Sequence, residues 1–348
     1  MNYRILTEYP DVKTLAAWRE FLADAAYPTH YTTPGFFTDP FIRGGERFAV
    51  LALDPEKAGE KEAKIVAVLT GVDTGKTIAS GLAVRPQTVF RKNTDRAAAA
   101  KALLEGMLEK GGSRLEVINF HSWEPVEKSK GLGFSSEVCS GGDAVVMLDL
   151  AKGADALFKD FSQTRQSELK KAMKKAELIV KDLETEAEID ELYRVHVGWN
   201  KRKGNQPDSR EDFAAIAADK DHRKTLIAVY QGKVIAGTFF RFCRGGVIEY
   251  AGNNSLEEFQ KLRPNPLIGW RAIEWACAND FTHFSMGASH EFLRRFGGDI
   301  RSNYRYTFDR TFLKRHVKKE KLKKLLVGTY LFLPVSARRK IKQAFGIT

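Results

Sequence analysis

The stretch that decides the fold runs from 247 to 296 and reads VIEYAGNNSLEEFQKLRPNPLIGWRAIEWACANDFTHFSMGASHEFLRRF. Val247–Ala251 is a short β-favouring run, and the Gly252–Asn254 segment after it is typical of a turn. The Asn265-Pro266 pair predicts a helix start, because Asn caps free N–H groups and Pro loses nothing in the first turn. The helix is apolar around most of its circumference, which indicates burial, and Thr282–Gly287 reads as the next strand. A buried helix between two strands, starting at a basic loop, predicts a site for an anionic group such as a pyrophosphate.

Length and composition favour two domains or one doubled domain. The chain has 348 residues, of which 43% are hydrophobic, and this is enough for a full core. Its three cysteines (Cys139, Cys243 and Cys277) lack metal-ligand spacing and cannot all pair, so we expect a reducing compartment and no metal. No signal segment is visible, and no apolar run approaches the ~18 residues of a spanning helix. We therefore expect a cytoplasmic protein.

The positive charge is concentrated at the C-terminus. The formal net charge is +12, and residues 310–348 contain 12 Lys and Arg against one acid, Glu320. The rest of the chain is nearly neutral, which argues against a general nucleic-acid binder. The tail also contains a short apolar run, Leu325–Val335, and suits the surface of an anionic membrane. Contact with RNA phosphates and docking on the body are the alternatives.

The order of predicted elements repeats. Helix, three antiparallel strands, helix and strand occur twice, around a junction near Leu150–Ala154. A meander followed by a β-α-β crossover gives a mixed sheet with helices on both faces. We therefore predict an α/β (α+β) fold with two tandem lobes, 1–150 and 151–309, whose mixed, mostly antiparallel sheets are flanked by helices. A basic helical tail, 310–348, follows.

Three patches give the chain a family resemblance. They are Phe161–Val180 (FSQTRQSELKKAMKKAELIV), Thr225–Phe240 (TLIAVYQGKVIAGTFF), and Asn265–Gly287 together with Phe292–Gly297. In them the chain resembles the acyl-CoA N-acyltransferase superfamily, specifically its doubled branch related to the Fem peptidoglycan-bridge aminoacyltransferases. It is also similar to the acetyltransferase-like proteins of bacterial exopolysaccharide and cellulose gene clusters. The resemblance implies two acyltransferase-like lobes and transfer of an acyl or aminoacyl group to an amine, with acyl-CoA or acetyl-CoA as the donor.

Two motifs depart from the family pattern. Members that bind acetyl-CoA have a glycine-rich turn before the crossover helix, but here Gln260–Pro266 reads QKLRPNP, without glycine and with a proline that removes a donor. This leaves an aminoacyl-tRNA or another activated donor open. The later Arg294–Gly298 segment is also shorter than the family's lysine-bearing version.

The catalytic candidates lie on predicted strands. Acyl transfer needs a neutral amine, a donor carbonyl held close and help for the leaving group, so the catalytic signature can be sparse. Glu249 is the candidate general base. Tyr250 faces the opposite side of the same strand, and Tyr304 is a candidate proton donor to the leaving group. The structural alternatives are a solvent-facing carboxylate and aromatic packing.

The binding candidates are mostly basic. The start of the crossover helix supplies the candidate donor contacts, which are Arg263, Asn265 and Leu267. The candidate acceptor contacts are Arg165, Lys170, Trp199, Arg202, Arg294 and Arg295, because guanidinium groups match anionic oxygens and Trp199 ends a helix beside a polar loop. Arg165, Lys170 and Lys174 are predicted to share one helical face, for which solvation is the alternative.

The leading hypothesis is an N-acyltransferase acting on an amine of a cell-envelope or exopolysaccharide precursor, so its partner is a small molecule or a glycan precursor. An aminoacyl-tRNA-dependent, peptidoglycan-type aminoacyltransferase is one alternative and would add nucleic acid as a partner. A non-catalytic scaffold of a polysaccharide synthesis or export assembly is the alternative from another class. Residues 310–348 suit peripheral contact with the inner face of the membrane in each case.

Overall fold

The computed structural model of the chain describes residues 1–54, 63–126, 129–175 and 177–322. It contains two sheets flanked by helices, which confirms the predicted fold class. The strands are β1 Asn2–Leu6, β2 Glu46–Leu53, β3 Ile65–Asp73, β4 Thr77–Ser80, β5 Thr88–Phe90, β6 Val117–Ser122, β7 Ser135–Cys139, β8 Val145–Asp149, β9 Leu178–Asp182, β10 Arg223–Tyr230, β11 Lys233–Phe242, β12 Val247–Ser255, β13 His283–Ser285, β14 Asp299–Arg301 and β15 Asn303–Asp309. The first sheet has the order β1-β2-β3-β4-β6-β15-β7, with β5 beside β3 and β6, and the second has the order β14-β8-β13-β12-β11-β10-β9.

Helices cover both faces of each sheet. They are α1 Val12–Ala23, α2 Arg96–Gly111, α3 Ala154–Asp160, α4 Gln163–Met173, α5 Glu186–Lys203, α6 Arg210–Ala218, α7 Pro264–Cys277 and α8 Glu291–Arg294. On the first sheet, α2 packs on one face and Trp18 of α1 on the other. On the second sheet, α3, α4 and α7 share one core, while Leu192 of α5 and Phe213 of α6 fill the opposite face. Each fully buried large side chain contributes about 1.5–3 kcal/mol, so these apolar faces hold the layers together.

The two sheets exchange strands across the lobe limits predicted from the sequence. The strand β8 lies before residue 150, yet it pairs with β13 and β14 in the second sheet. The strand β15 lies before residue 310, yet it pairs with β6 and β7 in the first sheet. Division at 150 and 309 remains a prediction for the domains, but sheet membership does not follow it.

The strand β12 is longer than its sequence predicts. It continues through Gly252–Asn254, the predicted turn, to Ser255, and Asn253 and Asn254 pair with Thr238 and Gly237 of β11. Strand propensity depends on context, and a long neighbouring strand offers ladder partners even to residues that disfavour strands. The extra residues carry β12 past the end of its other neighbour, β13.

The aromatic loop between α1 and β2, residues 27–41, docks on the second sheet. The N–H of Val247 donates to the carbonyl oxygen of Pro28 at 2.9 Å. Trp18 Nε1 donates to the Thr32 carbonyl oxygen at 2.9 Å, which fixes the loop on α1 as well. This loop therefore joins the first half of the chain to the strand that carries Glu249 and Tyr250.

Candidate active site

The strands β12 and β13 run parallel and then separate. Their register covers three pairs, of which Glu249 with Ser285 is the last. Beyond it the chain after β13 turns to β8, where Met286 N donates to Val146 O at 2.9 Å. Because β12 continues along β11 instead, a cavity of about 370 Å³ opens between the two strands. This strand-fork cavity is lined by Tyr250, Ala251, Gly252, Asn253, Asn265, Met286, Gly287, Ala288, His290, Phe292 and Leu293.

Two lining residues of the strand-fork cavity carry buried polar atoms without a hydrogen-bond partner among the described residues. They are Tyr250 Oη and Asn265 Oδ1. Burial raises the pKa of the Tyr250 hydroxyl to about 12, so it remains protonated and can donate a hydrogen bond. A buried polar group without a partner costs about 1–3 kcal/mol, and a ligand that supplies the missing partner recovers that cost.

A β-bulge lies at the mouth of the same cavity. Phe239 pairs with Gly252 and Phe240 pairs with Tyr250, so Ala251 has no partner in the register with β11. Bulges commonly occur beside active sites, where they release a backbone group from the ladder. Ala251 also lines the strand-fork cavity, so the bulge forms part of the cavity wall.

The start of α7 differs from the predicted anion site. Arg263 precedes the helix with a left-handed backbone (φ 60°) and makes no side-chain cap bond, so Asn265 is not the cap. Pro264 and Pro266 occupy two of the first three helical positions and have no N–H. Leu267 N donates to Arg263 O at 3.3 Å. Only Asn265 retains a free N–H in this stretch, and the helix start does not fit a pyrophosphate bound through backbone donors.

A second cavity, the interlobe cleft, lies between the aromatic loop and the second sheet. Its volume is about 350 Å³. Ala251, Gly252 and Asn253 line both the interlobe cleft and the strand-fork cavity. The other lining residues of the cleft are Tyr31, Phe41, Arg85, His196, Trp199, Asn200, Asp208, Phe213, Ile216, Arg223, Phe239, Arg241 and Asn254. The two cavities therefore meet at the bulged segment of β12.

Asp39 occupies the centre of a buried ion-pair group beneath the cleft. Its carboxylate accepts from His30 Nε2 at 2.6 Å and from an Arg223 Nη2 hydrogen. Burial alone would raise the pKa of Asp39, but the His30 hydrogen bond and the Arg223 charge lower it to about 2. Burial lowers the pKa of His30, which favours its neutral form.

Glu249 belongs to a second buried pair beside Asp39. It is 1% exposed, and its Oε2 accepts from Arg241 Nε at 3.1 Å. The Arg241 guanidinium also lies over the Tyr31 ring, 4.8 Å from its centre. Burial and repulsion by Arg241 lower the pKa of the neighbouring Arg85. Glu249 lines neither cavity.

Comparison with known proteins identifies the fold family. Residues 159–305 match the model of the acetyltransferase (GNAT) domain. A crystal structure of FemX is similar at a TM-score of 0.65 and 13% identity, covering 89% of this chain and 97% of that one. The tandem GNAT protein from the clavulanic acid biosynthesis pathway is similar at a TM-score of 0.51 and 11% identity, covering 89% of this chain and 99% of that one. Residues 159–305 therefore match an acetyltransferase (GNAT) domain, and the likeness to these two structures shows that the chain shares their fold.

A third solved structure shares this fold. The C-terminal domain of a putative lysylphosphatidylglycerol synthetase from Agrobacterium fabrum is similar at a TM-score of 0.53 and 12% identity, covering 70% of this chain and 81% of that one. No curated protein matches the sequence. Among the described residues, no helix has the length and apolar content needed to cross a bilayer.

The fold brings some of the predicted site residues together. Tyr250 and Asn265 line the strand-fork cavity, and Trp199 lines the interlobe cleft. Tyr304 lies elsewhere, on β15 in the first sheet, where it packs against that sheet's core. Leu267 is buried in the core shared with α4 rather than facing a cavity.

Several predicted binding arginines instead stabilise the protein itself. Arg165 is fully buried between the rings of Phe292 and Phe296, and it bonds Glu168 and the Phe292 carbonyl oxygen. Lys170 is exposed on the opposite side of α4, so the predicted common face with Arg165 is wrong. A helix buries residues three to four apart, and here these are Arg165, Leu169 and Ala172.

The remaining predicted contacts hold loops rather than a cavity. Arg202 donates to the Ser255 carbonyl oxygen at 2.7 Å and fixes the end of β12. Arg294 donates to the Ser289 carbonyl oxygen, and Arg295 pairs with Glu291. Arg263 lies 3.5 Å from Glu168 at the rim of a separate groove beside α4.

The basic residues that line the interlobe cleft were not predicted from the sequence, and they are Arg85, Arg223 and Arg241. Arg241 lies in an otherwise apolar strand, VIAGTFFRF, and Glu249 lies in the apolar run VIEYA. Charged residues in apolar strands are rarely buried without a partner, so this pattern indicates a cross-strand pair.

Proposed function

We propose that the protein is an N-acyltransferase that transfers an acyl or aminoacyl group to an amine of a cell-envelope or exopolysaccharide precursor. The activated donor occupies the strand-fork cavity and the acceptor amine enters from the interlobe cleft. The meeting of both cavities at Ala251–Asn253 supports this assignment, because the two reactants reach one backbone segment from opposite sides. The name of the putative lysylphosphatidylglycerol synthetase supports an envelope-related acceptor.

Catalysis rests mainly on position. A neutral amine attacks the donor carbonyl, and holding both in line can contribute several kcal/mol, up to about 7–11 in ideal cases. The N–H of Ala251 donates to the oxygen that becomes negative at the transition state. The Tyr250 hydroxyl, which burial keeps protonated and which lies near the Thr238 hydroxyl, donates to the donor's leaving atom or carbonyl.

Asp208 is the carboxylate that lines the acceptor side. Its side chain is half-exposed, and its backbone N–H donates to His196 Nε2 at 3.0 Å. That nitrogen therefore carries a lone pair rather than a proton, so His196 does not neutralise the Asp208 carboxylate. We assign to Asp208 the role of accepting the proton from the incoming ammonium group, and to Glu249 the role of positioning Arg241.

The donor carries an activated ester or thioester. Acyl-CoA is the donor that the resemblance implies. The start of α7, however, offers one free backbone N–H rather than the several N–H donors that would bind a pyrophosphate. The groove beside α4 contains Lys171, Lys175 and Lys261 and has a volume of about 730 Å³. These side chains suit the phosphates of either acyl-CoA or an aminoacyl-tRNA.

Product formation tests the assignment. The purified chain is incubated with a panel of acyl-CoAs and aminoacyl-tRNAs and with amine acceptors, and acylated amines are detected by mass spectrometry. Ala288→Trp fills the strand-fork cavity, so we expect at least about 100-fold loss of kcat/KM. Ala278→Trp, exposed at the far end of α7, is the control and keeps the activity. Transfer unaffected by Ala288→Trp would refute the placement of the donor.

We also propose peripheral contact with an anionic membrane through the start of the tail. Phe312 is 77% exposed and Leu313 is 64% exposed, and Arg315, Lys318 and Lys319 line the surface around Phe312. Residues 323–348, which complete the predicted basic tail, lie outside the described residues. Sedimentation with phosphatidylglycerol vesicles should fall when Phe312 and Leu313 are both changed to Ser, and neutral vesicles should not bind.

A further inference from the structure

Three arginines line the interlobe cleft, and they are not paired equally with carboxylates. Arg223 is paired with both Asp39 and Asp219, and Arg241 is paired with Glu249. Within the described part of the chain, no carboxylate forms an ion pair with Arg85, which lines the cleft together with Tyr31 and Arg241. The Glu249 charge acts on both Arg85 and Arg241. Two guanidinium groups therefore share one carboxylate at a poorly hydrated site.

The backbone of Arg85 is held in a fixed position before any ligand arrives. Leu82 N donates to Arg85 O at 3.0 Å, and Arg85 N donates to Leu82 O at 2.8 Å. Gly81 makes this tight turn accessible, because it has φ +71° and a Cβ there would lie 2.6 Å from Arg85 O. A guanidinium on a rigid turn loses less conformational freedom when it binds an anion, which favours binding.

From this arrangement we propose that the cleft binds a single negative charge on the acceptor, a carboxylate or a phosphodiester, between Arg85 and Arg241. One negative charge restores neutrality to the group of Arg85, Arg241 and Glu249, whereas a second would again be unpaired. Buried charges are tolerated when they are paired and hydrogen-bonded, and the two guanidinium groups can supply both the charge and the donors. This inference rests on the proposed acyl transfer, because it names the acceptor class of the same cleft.

The cleft also carries a carboxylate that suits the amine of the same molecule. Asp208 and Trp199 line it, and the Asp208 carboxylate lies 3.3 Å from His196 Nε2 and near the exposed Arg43. A substrate that places its amine towards Asp208 and its anion at Arg85 spans the cleft beside the bulge at Ala251. The acceptor is therefore an amine that also carries one anionic group, such as an amino acid unit or an aminoalkyl phosphodiester.

Two measurements on the full chain test the proposal, one of them independent of activity. The first is the shift of the thermal unfolding midpoint by acetate or by dimethyl phosphate, against chloride at equal ionic strength. The second compares kcat/KM for amino acids with that for their amides, and for 2-aminoethyl methyl phosphate with that for ethanolamine. Arg85→Gln and Arg85→Lys are the variants. Arg271→Gln, which removes an exposed arginine from α7, is the control.

We expect at least one anion to raise the thermal unfolding midpoint of the wild type and of Arg271→Gln. We also expect both to have a kcat/KM about tenfold or more higher for the matching charged acceptor, which corresponds to the free energy of a charge-assisted hydrogen bond. Arg85→Gln should lose both effects, and Arg85→Lys should retain part of each. Which anion acts distinguishes a carboxylate from a phosphodiester. An absence of anion stabilisation in wild type, or equal stabilisation in Arg85→Gln, would overturn the proposal whatever the activity. Anion stabilisation without transfer to any acceptor would instead overturn the proposed function alone.

Discussion

Replacing Glu249 separates its two possible roles, general base and partner of Arg241. The carboxylate is 1% exposed and 3.1 Å from Arg241 Nε, and Arg241 is itself 5% exposed and lies beside Arg85. Removing one member of a buried pair leaves the other charge uncompensated, which typically costs about 3–5 kcal/mol. We therefore expect Glu249→Ala to lower the free energy of unfolding by about that amount.

Urea denaturation of a double-mutant cycle measures this coupling. Arg241→Met combined with Glu249→Leu should recover most of the stability, because apolar residues of similar volume often replace a buried pair at no net cost. The matched control is the exposed pair of Arg271 and Glu274, 2.7 Å apart, which should couple by no more than about 1 kcal/mol. If Glu249→Ala abolished transfer while the free energy of unfolding stayed at the wild-type value, Glu249 would be a base and the pairing argument would be refuted.

Three further predictions concern the neighbouring groups. Tyr250→Phe removes a buried hydroxyl without a partner, so we expect stability unchanged or raised by about 1 kcal/mol but kcat/KM lowered about tenfold or more; equal activity would exclude Tyr250 from the reaction. Arg165→Met breaks the contact between α4 and α8 and should cost about 3 kcal/mol in urea denaturation, whereas the exposed Lys170→Met should change stability by less than about 0.5 kcal/mol. Because the pKa of Asp39 is lowered to about 2, its ionised carboxylate contributes about 2 kcal/mol to the free energy of unfolding above pH ~4, and this contribution is lost as the pH falls towards 2. Asp39→Asn should therefore weaken the dependence of the free energy of unfolding on pH between about 4 and 2.

The crossover of the second sheet was predictable because its signal is local. The apolar circumference of α7 and the β-favouring residues on either side are visible in the sequence, and β12 and β13 indeed pair in parallel. The end of β12 was not predictable in the same way. Gly252, Asn253 and Asn254 have the composition of a turn, and only the ladder with β11 keeps them extended.

The candidate site was predicted less well than the fold, since its parts come from distant segments. Tyr304 follows the second half in sequence, yet its strand crosses to the first sheet, and nothing local in the sequence encodes that pairing. Arg165 looks like a substrate-binding cation in a basic helix, and its burial depends on the ring of Phe292 in α8 and the ring of Phe296. Arg241 and Glu249 carried a usable signal, because charges in adjoining apolar strands favour a mutual pair over a free base.

The exchange of strands gives the interlobe cleft its rigidity. Since β8 enters the second sheet and β15 returns to the first, the chain crosses between the sheets on both sides of the second lobe. The Asp39–Arg223 pair and the bond between Val247 and Pro28 add direct contacts between the aromatic loop and the second sheet. A hinge motion that opened the cleft would have to break a buried ion pair, which costs several kcal/mol. If the cleft receives the acceptor as proposed, it is therefore largely formed beforehand, and we expect discrimination among acceptors to depend on the fixed charges that line it rather than on closure around the substrate.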